Sequence, residues 1–228
     1  MQPLVSFVLI TLVIFTIPLI LLRYFGKNFL IGLVPIYLLT ANVFAESFFS
    51  IFGTIQSLAV PIYCGILLTS DILSEYYGKK ESQKAVLLGF LGQLFFLGMM
   101  FMITNSEIFP EKLAIYKTTF AVIPRLILGS MVAYLASQFF SVYLYNKIWD
   151  ITGRTEKGLA KRNIITTILA QFLDTTILIY IAFYGSVPFE TNEKIWSFII
   201  TTSILKSLVA LVDYNFMYLS KKVNNAKE

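Results

Sequence analysis

Long apolar runs separated by short polar breaks fall at residues 3–22, 29–49, 56–74, 85–104, 119–142, 163–184 and 195–219. Each run, wound as a helix, is long enough to cross roughly 30 Å of hydrocarbon, and helices satisfy their own backbone groups where no water is present. The pattern predicts an all-α integral membrane protein, a bundle of about seven transmembrane helices. Such spans and their short loops use nearly all 228 residues, so residues 1–228 read as a single domain with a short cytoplasmic tail at 221–228. Glu46 interrupts the second run.

Loop charge gives the expected orientation. Thirteen Lys and Arg side chains collect in alternate breaks and the tail: Arg23 and Lys27, Lys79 to Lys84, Lys147 to Arg162, and Lys221 to Lys227. The opposite breaks hold only Lys112, Lys117 and Lys194. The bias predicts a multi-pass plasma-membrane protein with its amino terminus outside and its carboxyl terminus in the cytoplasm. The first run lacks the basic segment that precedes a cleavable signal, since Arg23 and Lys27 follow it; it is expected to stay in the mature chain.

Composition agrees with lipid as solvent. Residues are 57% hydrophobic and 14% charged, with mean hydropathy +0.76, against about 25% charged in soluble domains. The net charge of +5 is explained by the orienting lysines, so no nucleic-acid partner is inferred. With no histidine and the lone Cys64, neither zinc chemistry nor a Ser/His or Cys/His catalytic pair is expected. The reading is therefore of a non-enzyme without metal or cofactor.

The charges within the runs need a reason. Glu46, Asp71, Glu75, Arg125, Asp174, Lys206 and Asp213 lie inside or at the edges of spans. Each costs about 2.5–3.5 kcal/mol near a span centre if left facing lipid. Spacing lets them share faces: Asn42 with Glu46, and Asp71 with Glu75, are four apart. Asn163, Thr167, Gln171 and Asp174 draw a polar stripe on one helix, and Lys206 and Asp213 are seven apart on another. Gly129 and Ala133 continue the face of Arg125 with small residues that permit close helix approach. Converging, these faces would form a polar core at membrane depth. Opposite charges clasped between helices are the structural alternative, but acidic groups outnumber basic ones. Surplus carboxylates suit a small ligand with adjacent N–H donors, and aromatic residues such as Tyr63, Tyr134 or Phe172 offer stacking surfaces.

Four stretches, in order, resemble the queuosine-precursor transporter family, also described as vitamin-uptake-transporter-like. They are "SDILSEYYGKKESQKAVLLGF", "RLILGSMVAYLASQFFSVYLYNKI", "RNIITTILAQFLDTTILIYIAFYG" and "LKSLVALVD". The resemblance covers roughly residues 30–220. It implies a six-helix core similar to the substrate-binding subunits of energy-coupling-factor transporters, spanning about 29–220, with an extra first helix at about 3–22. It also implies import of a 7-deazaguanine, such as 7-cyano- or 7-aminomethyl-7-deazaguanine, for tRNA modification. The substrate-binding candidates are Asn42, Glu46, Asp71, Glu75, Arg125, Gln171, Asp174 and Lys206. The chain departs from the family at "DYNFMY" after Lys206, where Asp-Thr-Pro is usual.

Two other readings compete. A substrate-binding subunit would need an external ATPase module; that module and a second copy of the chain are the protein partners left open. A retinal-type seven-helix protein would use Lys206, but Thr202 stands where such proteins carry an aspartate.

Overall fold

The computed structural model describes residues 2–51, 53–105, 110–119, 123–152, 156–186 and 189–225. Among them are eight helices: α1 (Gln2–Tyr24), α2 (Lys27–Val43), α3 (Ala59–Tyr77), α4 (Lys79–Thr104), α5 (Pro110–Thr119), α6 (Ile123–Thr152), α7 (Glu156–Phe183) and α8 (Asn192–Asn225). Between α2 and α3 lies an antiparallel hairpin of β1 (Phe48–Ile51) and β2 (Thr54–Ser57). Leu4–Tyr24, Lys80–Thr104 and Leu113–Ser137 are long and apolar enough to cross a membrane, and Lys27–Val43 and Ile168–Phe183 are shorter apolar helices.

The hairpin corrects the expected second and third runs, 29–49 and 56–74. Phe48 to Ile51 and Thr54 to Ser57 are rich in aromatic and β-branched side chains that favour paired strands. Gly53 lies in the connection at φ 76°, a left-handed conformation that suits glycine. Helix α2 consequently stops at Val43, and α3 starts only at Ala59. Lipid cannot satisfy open strand edges, so this connection belongs at the membrane surface or against protein.

Polar segments also join helices rather than loops. Helices α3 and α4 are separated by Gly78 alone, at φ 87°, because the Lys- and Glu-rich stretch after it is itself a good helix former. Helix α8 runs through the Lys/Asn-rich end to Asn225, where a tail from 221 was expected. The side chains of Asn163, Thr167 and Asp213 lie outside the described residues.

The chain divides into two compact units. The first comprises residues 1–124 and 205–228, the second residues 125–204. In the first, α1 contributes Phe7, Phe15, Leu19 and Leu22 to the buried core, and the Tyr37 hydroxyl donates to the Ile14 carbonyl at 2.7 Å. The end of α8 docks on the same helices: Phe15 meets Phe216 edge-on at 5.3 Å, and the Tyr76 and Ser220 hydroxyls bond at 2.8 Å.

Helices α2 and α4 run side by side in the same direction. Lys27 pairs with Glu81 at 3.7 Å, and further along both helices a Cβ at Gly89 would run into Leu38. Helix α4 buries a narrow stripe, Ser82, Ala85, Gly89 and Gln93, and its small members let the backbones approach. In the second unit, Gly129 lies so near α7 that a Cβ would sit 3.3 Å from Ile181. Phe183, Phe189 and Phe198 form a ring cluster there, with centroids 4.7–6.0 Å apart.

Candidate functional site

Helix α3 has two faces with different chemistry. Gly65 and the buried Thr69 share a face that looks toward α1 and α2, where a Cβ at Gly65 would collide with Ile14 and Tyr37. Tyr63, Leu67, Asp71 and Glu75 recur every fourth residue and therefore share the roughly opposite face. Asp71 and Glu75 are exposed, as is Leu67, while Tyr63 is half-buried.

This second face is bordered by α8. At one end, the Lys206 ammonium lies 5.2 Å from the centre of the Tyr63 ring. At the other, the Lys221 ammonium stands 4.0 Å from a Glu75 carboxylate oxygen. Both contacts advance in the same sense along the two helices, so Asp71 occupies the interval between two cationic contacts. Lys206 is only 9% exposed, which makes its aromatic contact stronger than it would be in open water. The arrangement offers a carboxylate acceptor at Asp71, an aromatic ring at Tyr63 and an apolar step at Leu67.

Asn42 is elsewhere. It is buried on α2, and among the described residues its amide nitrogen finds no hydrogen-bond partner. On α4, Gln93 is fully buried, and among the described residues both of its amide heteroatoms are unpartnered. The sequence signal for Gln93 is a lone amide inside an apolar run.

Glu46 is corrected. Expected on the helix face of Asn42, it stands exposed in the turn beyond the end of α2, because the helix stops three residues earlier. The four-residue spacing has no meaning there.

In the second unit, Arg125 is exposed and its guanidinium donates to the Ile181 carbonyl at 3.1 Å and the Tyr184 carbonyl at 3.0 Å. These oxygens belong to the end of α7 and the residue after it, where unpaired carbonyls and the helix dipole favour a cation. Gln171 and Asp174 are half-buried on α7. The eight candidates thus fall into an α3–α8 strip, a buried amide and a set in the second unit, with Glu46 apart.

The long apolar helices mark the chain as an integral membrane protein. The chain belongs to the family described as "Putative vitamin uptake transporter", which matches residues 57–220. It is 32% identical over 214 residues to the "Probable queuosine precursor transporter" of Bacillus subtilis (strain 168), covering 92% of this chain and 90% of that protein. Residues 29–228 alone fall short of that coverage, so the similarity reaches into α1. No solved structure matches. Family membership makes this a multi-pass membrane protein of transporter type, with a small-molecule substrate.

Proposed function

We propose that the protein imports a 7-deazaguanine precursor of queuosine, of the 7-cyano- or 7-aminomethyl type, and that Asp71 reads its ring. The observation that carries this reading is the extended similarity to the Bacillus protein together with an open carboxylate on α3. A guanine-like ring presents adjacent N1–H and N2–H₂ donors, and a carboxylate accepts both with its two oxygens. Glu75 and Lys206 border that contact on α3 and α8. In this reading the apolar runs make seven crossings, with the amino terminus outside and the basic breaks in the cytoplasm.

The test is salvage. In cells unable to make the precursor, externally supplied precursor should restore queuosine in tRNA only when this chain is expressed; restoration without the chain, or none with it, refutes the proposal. Reconstitution in vesicles then addresses partners: the purified chain should carry the precursor by itself, and strict dependence on an added ATPase module would replace the solitary carrier with a binding subunit.

A further inference from the structure

Resting on the transport reading, we infer that Tyr63 is a ring-stacking residue of the substrate site, held in place by Lys206, and that the planar base lies along the stripe from Tyr63 across Leu67 to Asp71. Three observations converge. The residues are successive members of one α3 face, separated by single turns of about 5.4 Å. Lys206 engages the Tyr63 ring at 5.2 Å and is itself nearly buried, so the aromatic is fixed from the α8 side. Between ring and carboxylate that face of α3 presents Leu67, which is 42% exposed and provides an apolar floor, with the half-buried Ser70 beside it.

The dimensions suit a bicyclic base. Tyr63 and Asp71 are eight residues apart, about 12 Å along the axis, and both side chains lean toward the amino terminus, so the interval between ring and carboxylate is kept. A fused two-ring heterocycle then meets Asp71 with its donor edge while its far end reaches the tyrosine. Lys206 acts through Tyr63 as a positioning residue; its charge polarises and orients the ring. Stacking supplies affinity with little discrimination among bases, whereas the Asp71 edge supplies the discrimination.

The test uses the full chain in lipid nanodiscs, with 7-aminomethyl-7-deazaguanine as probe and binding measured by titration. Tyr63→Leu should weaken binding by about tenfold or more, the size expected for loss of one base–aromatic stack. Tyr63→Phe, which keeps the ring, should recover most of that loss. Removing the exocyclic 2-amino group from the probe should penalise the wild type and Tyr63→Leu by the same factor, because the edge contact is independent of the stack, but should cost Asp71→Asn little. Leu67→Trp, at an exposed position, should block binding without lowering the melting temperature, and it serves if Tyr63→Leu folds poorly. Wild-type affinity in both Tyr63→Leu and Leu67→Trp would overturn the stacking role and leave the transport reading intact. If the wild type itself does not bind the probe, the transport reading falls and this inference with it.

Discussion

Arg125 illustrates how far a charge inside an apolar run can be read from its residue type. Its presence at the start of α6 signalled a paired group, but not that its partners are carbonyl oxygens at Ile181 and Tyr184. A guanidinium that closes a helix end stabilises it through charge-assisted hydrogen bonds, worth about 1.5–3 kcal/mol where water is excluded and less at an exposed site. Arg125→Met should therefore lower the melting temperature of the chain in detergent by several degrees, with Arg125→Lys intermediate. An unchanged melting temperature in Arg125→Met would mean that these contacts contribute nothing. Asp71 and Glu75 were legible as a pair because helical spacing holds throughout α3. Glu46 was not, since the same spacing argument presumed a helix that ends at Val43.

At the scale of elements, every apolar run falls on helix for most of its length, because length and hydropathy are local properties of the chain. The polar ends of those helices and the hairpin between α2 and α3 were hidden for a common reason: hydropathy marks what lipid tolerates, not where backbone hydrogen bonding changes partner. The direction of α2 beside α4 was hidden too, since it depends on tertiary contact. That contact makes a specific claim about Gly89, whose Cβ position is occupied by Leu38, whereas Gly98 on the same helix has open space around it. Gly89→Leu should destabilise the chain by about 1–3 kcal/mol, the usual cost of overpacking. Gly98→Leu should leave thermal stability near wild type in the same assay; equal effects of the two substitutions would contradict the parallel seam.

For the whole molecule, the sequence carried its class well. Composition, charge bias and four ordered motifs pointed to a membrane transporter, and family membership agrees. One face of α3 bears Asp71 and Glu75 and its other face packs toward α1 and α2, while Arg125 and Asp174 belong to the second compact unit. Such partitioning arises from which helix faces meet, and intrahelical periodicity cannot report it. The account's central claim is that Asp71 holds a deazaguanine during import. Its most direct test is the initial rate at which cells lacking their own salvage uptake accumulate labelled 7-aminomethyl-7-deazaguanine. Expression of the wild-type chain should raise that rate well above background, and Asp71→Asn at equal membrane abundance should return it at least about tenfold toward background, as expected when a charge-assisted donor pair is lost. Equal rates for the two chains would contradict the claim.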